Sequence, residues 1–117
     1  MPDVQQWTVR LTASAEQDYE DILTWTLHHF GELQVVIYDE TLSDALGALI
    51  AGPNILGVKH RDEIGAGIHT LHVARNGRKG RHFLILQIDH KAQTIDVLRI
   101  LHDQMDLIRH LDDDGLH

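Results

Sequence analysis

Apolar and polar residues first alternate with period two, Trp7, Val9 and Leu11 against Thr8, Arg10 and Thr12, the pattern of a strand with one buried face. The period then lengthens. Tyr19, Ile22, Leu23, Thr26, Leu27 and Phe30 recur at spacings of three and four, one stripe of an α-helix. Ser14 with Gln17 three positions on reads as a capping box for its start, and Thr12 is the alternative cap two residues earlier. Gly31 predicts the stop. Val35, Tyr38, Leu42, Ala45, Leu46 and Leu49 resume the helical spacing as far as Gly52-Pro53-Asn54, a breaker. With only Gly31 and Glu32 between them, the two helices form an antiparallel hairpin.

Residues 52–66 have no period and hold three glycines and a proline, so they read as a connecting loop. Strands are predicted over Ile68–Arg75 and Arg81–Asp89, flanking a hairpin loop that contains Asn76-Gly77. A last strand covers Thr94–Leu101, a short closing helix Met105–Leu111, and residues 112–117 a frayed tail. The order is β-α-α-β-β-β-α. It describes an α+β fold in which an N-terminal helical hairpin packs on one face of a small, mainly antiparallel sheet. At 117 residues the chain suits a single domain, 1–117.

Composition narrows the chemistry. The absence of cysteine removes disulfides, thiolate nucleophiles and Cys-ligated metal. The first fifteen residues carry no signal-peptide pattern, and clean apolar runs such as Phe83–Leu86 fall far short of the ~20 residues a bilayer needs. These features make a cytoplasmic protein the expectation. The net charge of −8 is unevenly spread. Residues 1–57 hold nine acids and one base, residues 58–102 eight bases and four acids, and residues 103–117 five acids and one base. A basic middle, carrying six of the ten histidines, lies between acidic ends.

Within that middle, Arg75, Arg78, Lys79, Arg81 and His82 form a cluster with no acid among them. It suits phosphates or a carboxylate-rich partner, or else a solvated hairpin tip. Arg99 shares strand parity with Ile95, Val97 and Leu101, which places its guanidinium on an apolar side where it needs an anion. A carboxylate such as Asp89 or Asp96 is the plain candidate. His102, Asp106 and His110 fall at i, i+4 and i+8, a weak metal-ladder spacing, and no metal or cofactor is expected. His28 and His29 suit the end of a helix dipole. The carboxylates at Asp18, Glu20 and Asp21 read as a solvated helix face, and Tyr19 and Tyr38 are assigned to helices. No phosphate-cradling loop, zinc-helix motif or glycine-flanked serine is present.

Four segments together resemble the RelE/ParE toxin superfamily of bacterial type II toxin–antitoxin systems, most closely its ParE branch. They are Leu11-Thr12 with Ala15-Glu16-Gln17-Asp18, then Phe30-Gly31-Glu32, then Pro53–Gly57 with Asp62-Glu63-Ile64 and Gly67. The fourth is the most specific: Gly80-Arg81-His82-Phe83 with the run from Ile95 to Leu111, including Arg99, His102, Met105, Asp106 and Arg109-His110-Leu111. The resemblance spans residues 12–111.

It implies a toxin held inactive by a co-encoded, ParD-like antitoxin whose C-terminal segment wraps it. It also implies one of two targets. ParE-type members inhibit DNA gyrase by binding it, without catalysis; RelE-type members are ribosome-dependent mRNA endoribonucleases, and on that alternative Arg81, Arg99 and His102 are the catalytic set. A non-toxic, antitoxin-binding member is the third reading. Asp103 follows His102 where some ribonuclease members carry tyrosine, His69 stands where arginine is common, and Leu84-Ile85-Leu86-Gln87 lacks the usual tyrosine. With the −8 balance opposing RNA, the gyrase reading is preferred. Target or partner binding is then expected at Arg75, Arg78, Lys79, Arg81, His82, Arg99, His102, Met105 and Asp106.

Overall fold

The computed structural model describes residues 6–105 and Leu107. Apart from Met105 and Leu107, the expected closing helix, Asp106, His110 and the tail 112–117 lie outside the described residues. Strand β1 (Thr8–Leu11) leads into helices α1 (Ala13–Phe30) and α2 (Glu32–Ala48). A 3-10 turn over Leu49–Ala51 follows, then strands β2 (Lys59–His60), β3 (Ile68–His72), β4 (His82–Asp89) and β5 (Thr94–His102). They form one sheet in the order β1-β5-β4-β3-β2. The three pairings among β2 to β5 are antiparallel, and β1 lies parallel to β5. The short β2 falls inside the segment expected to be loop. No helix among the described residues is long and apolar enough to cross a membrane.

Local chemistry sets the helix ends. Thr12, not Ser14, caps α1: its Oγ1 accepts from the Ala15 N–H at 3.1 Å and donates to the Leu98 carbonyl at 2.8 Å. The first contact is an N-cap bond; the second ties the cap to the sheet, a long-range partner that Ser14, exposed in the first turn, lacks. Gly31, at φ 87°, closes α1 through its N–H to the Leu27 carbonyl at 3.0 Å and lets α2 begin at once, a backbone conformation that favours glycine.

The sheet separates two apolar clusters. Leu84, Leu86, Ile95, Val97 and Ile100 pack under the helices against Ala15, Leu42, Ala45 and Leu49. Ile85 and Leu101 join Ile64, Ile68 and Leu107 on the other face, so the 61–67 segment does more than connect: it supplies Ile64 and Ile68 to a second small core. The strand parity expected around Arg99 is broken. Ile85 pairs with Arg99 and Leu86 with Val97, leaving Leu98 as an extra residue in β5. This β-bulge switches the facing pattern, so that Ile95, Val97 and then Ile100 face the helices while Leu101 turns to the second cluster.

Thr12→Ala removes the cap and leaves the Leu98 carbonyl without its hydroxyl donor. The expected cost is about 1–2 kcal/mol in urea unfolding, with Thr12→Ser close to wild type.

Candidate functional site

A cleft of about 760 Å³ opens between the helical hairpin and the ends of β4 and β5. Ile22, Trp25, Phe30 and Met105 give it an apolar wall, and Arg81, His82, Arg99 and His102 stand on its sheet side. Five of the nine residues expected to bind a partner thus meet here. Arg75, Arg78 and Lys79 sit instead on the β3–β4 loop and do not line the cleft, and Asp106 is outside the described residues.

Tyr38, which the sequence assigns to a helix and nothing more, sends its hydroxyl into this site. The hydroxyl accepts from the Arg81 backbone N–H at 3.0 Å, and we assign its own proton to His82 Nδ1 at 2.6 Å, the arrangement that uses the phenol's donor. His82 therefore carries its proton on Nε2. The same reasoning fixes two neighbours. His72 Nδ1 accepts from the Ala74 N–H at 3.0 Å, leaving Nε2–H to donate to Asp103 Oδ2 at 3.0 Å. His102 Nδ1 accepts from the Gln104 N–H at 3.2 Å. In this assignment all three rings receive a donor at Nδ1 and carry a proton on Nε2. Burial, and secondarily the nearby His102, push the His82 pKa down to about 4. Burial also raises Tyr38, and the hydrogen bond from His72 lowers Asp103. The only helical sign of Tyr38's role was its place on the inner stripe; its reach across to β4 depends on tertiary packing.

The arginines are committed internally. Arg99 donates from Nε to Asp18 Oδ2 at 2.7 Å and from Nη2 to Oδ1 at 2.9 Å, and the same Oδ2 accepts the Ile100 N–H at 2.9 Å. Both side chains are only 14% exposed. Asp18 is thus not a solvated surface acid, and Arg99 has the carboxylate partner expected of it, but on α1 and not at Asp89 or Asp96. Asp96 pairs with Arg10 at 2.8 Å. Arg78 meets Asp44 and Glu40 of α2, the latter at 3.8 Å. Arg81, with its side chain 60% exposed, has Asp103 Oδ1 at 3.5 Å. His29 stacks on Trp25 at 4.0 Å and faces the Trp25 carbonyl near the end of α1, in line with a dipole role.

Among the described residues no three His, Asp or Glu side chains converge as metal ligands. What the cleft can do is present an apolar wall beside imidazole N–H donors and one exposed guanidinium.

Residues 9–107 match the sequence profile of the ParE toxin of the parDE type II toxin–antitoxin system. The chain belongs to the ParE toxin family. No curated protein sequence matches it significantly. Among solved structures, the chromosomal ParDE system of Pseudomonas aeruginosa superposes with a TM-score of 0.67 at 16% identity, over 84% of this chain and 97% of that one. The RelBE2 toxin–antitoxin complex of Mycobacterium tuberculosis gives 0.55 at 25% identity, over 83% and 98%. The isolated Escherichia coli RelE toxin gives 0.54 at 12% identity, over 95% and 99%. The α+β arrangement of a helical hairpin on the sheet is thus the RelE/ParE fold, and this member of the ParE family is a toxin-type component of a type II system with an antitoxin as its partner.

Protonation of His82 sets one stability term of this toxin. The unfolded chain takes up a proton near pH 6.5, and the folded chain refuses it until about pH 4. The unfolded state therefore binds more protons between those values, and stability falls as the pH drops through that window. His82→Gln, which keeps an acceptor for Tyr38, should flatten the fall in urea midpoint between pH 7 and pH 4.

Proposed function

We propose that this ParE-family toxin stops DNA gyrase by binding it, and that a ParD-like antitoxin neutralises it by covering the cleft and the tip of the helical hairpin. The observation that carries a protein target over a nucleic acid is the Arg99–Asp18 pair. RNA binding draws its energy from cations that neutralise phosphates. Here Arg99 is already neutralised by a bidentate carboxylate, and Arg78 by two acids of α2. The hairpin tip meanwhile leaves large apolar side chains in water, Phe30 at 64% and Leu33 at 71% exposure, with Trp25, Val36 and Ile37 beside them. Exposed apolar groups of this size around a few donors suit a protein interface.

The competing reading is a ribosome-dependent endoribonuclease using Arg81, Arg99 and His102, and the Tyr38 hydroxyl next to His82 favours it. Proton transfer is efficient when a group's pKa lies near the working pH. His82, at about 4, and Tyr38, raised above its ordinary value, fall on opposite sides of that range. The phenol is a weak acid and the imidazole a weak base at neutral pH, which weighs against this reading.

Purified toxin is expected to inhibit gyrase supercoiling, with relief by the antitoxin, while leaving cellular transcripts intact. Unaffected supercoiling together with cleaved transcripts would replace the proposal by the ribonuclease reading, and normal growth on expression would indicate a non-toxic member. Arg81→Ala should weaken inhibition tenfold or more with an unchanged melting temperature. Arg99→Ala, by contrast, strands the Asp18 carboxylate and should cost about 3 kcal/mol of folding stability, so any loss of inhibition there follows from unfolding.

A further inference from the structure

Two histidines stand apart from the cleft, at the β2 edge of the sheet. His60 and His69 are register partners across β2 and β3, and their rings stack with centroids 4.7 Å apart and planes at 27°. Their proton placement is the reverse of that in the cleft. His69 Nδ1 lies 3.2 Å from the Gly67 carbonyl oxygen. A carbonyl only accepts, so Nδ1 carries the proton and Nε2 keeps its lone pair. His60 Nε2 lies 2.8 Å from Asp62 Oδ1; it donates there, and Nδ1 keeps the lone pair. An imidazole whose other nitrogen donates to a backbone carbonyl or a carboxylate is the form in which histidine binds metal, with ring and tautomer fixed by that partner.

We propose that His60 and His69 form a two-nitrogen site for a divalent transition-metal ion such as Zn²⁺ or Ni²⁺, one nitrogen from each ring. Imidazole is a suitable donor for both ions. The terminal torsion of histidine is broad, so the stacked rings turn until each lone-pair nitrogen stands about 2.0–2.1 Å from the ion. In the metal-free chain Asp62 and the Gly67 carbonyl set which ring nitrogen keeps its lone pair, and water fills the remaining positions on the ion, since no third His, Asp or Glu among the described residues converges with them. The His60 side chain is 57% exposed, which leaves the ion an open approach. Binding there clips the two-residue β2 to β3 and closes the segment that carries Ile64 and Ile68 onto the second core.

The test is calorimetric titration of the full-length, untagged chain with Zn²⁺, alongside long-range ¹H–¹⁵N correlation spectra of the histidine rings. The metal-free spectrum should show His69 protonated on Nδ1 and His72 and His82 on Nε2. Zn²⁺ should bind saturably, moving the His60 and His69 resonances and leaving those of His72, His82 and His102 in place. Affinity should fall at least tenfold in both H60Q and H69Q and stay unchanged in the H28Q/H29Q double variant. An Nε2–H tautomer at His69, wild-type binding by either H60Q or H69Q, or ring shifts confined to other histidines would overturn the site. Because the spectra report on the unmutated chain, misfolding of a variant does not blunt the result.

Discussion

The fold turns on one irregularity, the bulge in β5, and on how α1 satisfies it. An extra residue in a strand leaves backbone groups without ladder partners, and a buried group left that way costs about 1–3 kcal/mol. Both are answered from the helix. The Leu98 carbonyl takes the Thr12 hydroxyl, and the Ile100 N–H takes the Asp18 carboxylate, which also holds Arg99 in two charge-assisted bonds. Thr12 and Asp18 are six residues apart, at the N-cap and within the second turn of α1. They therefore fix both the position and the rotation of the helix over the sheet. The cleft exists because α1 is held there, with Ile22 and Trp25 further along the same helix forming its wall.

This pairing also explains the charge distribution. An acidic N-terminal half and a basic middle read, in sequence, as a docking site for a partner's acidic segment. In three dimensions much of that complementarity is spent within the chain. Asp18 of α1 meets Arg99 of β5, and Glu40 and Asp44 of α2 meet Arg78 of the β3–β4 loop. The two halves are matched to each other, and the hairpin docks on the sheet with charge pairs at its margins around an apolar centre. Arg81 is the base of the cleft that keeps most of its side chain in water, even with Asp103 beside it.

Much of the architecture was legible because it follows local periodicity. The period-two run at Trp7–Leu11, the stripes of both helices and the stop at Gly31 each express geometry that neighbouring residues share. The closing segment around Arg99 and His102 carried the family. What the sequence did not reveal is long-range. The Thr12 cap wins over Ser14 through a carbonyl 86 residues away. The bulge at Leu98 reverses a parity that counting along β5 assumes, and Arg99 finds its carboxylate at Asp18, 81 residues away. Tyr38 reaches His82 across 44 residues. β2 has only two residues, too few for an alternating pattern to register. Each miss is a residue whose partner lies in another element, and no spacing rule within one element can find it.

Histidine shows why position matters more than residue type here. Six of the ten sit in the middle of the sequence, which suggests a surface that charges readily as the pH falls. In the cleft and beside it, at His72, the bonding argues otherwise. Each of the Nδ1 atoms of His72, His82 and His102 receives a proton donor, from Ala74, Tyr38 and Gln104 respectively. Adding a proton to His82 means breaking its bond from Tyr38 and placing a cation beside His102 in a buried setting. At His82 the cleft therefore offers an imidazole N–H and not a charge. A surface of that kind selects a partner by shape and hydrogen-bond acceptors. It gives little advantage to a bare polyanion, whose binding scales with the cations it meets, and it accommodates a folded protein that brings apolar side chains to Trp25 and Phe30 and acceptors to the sheet side.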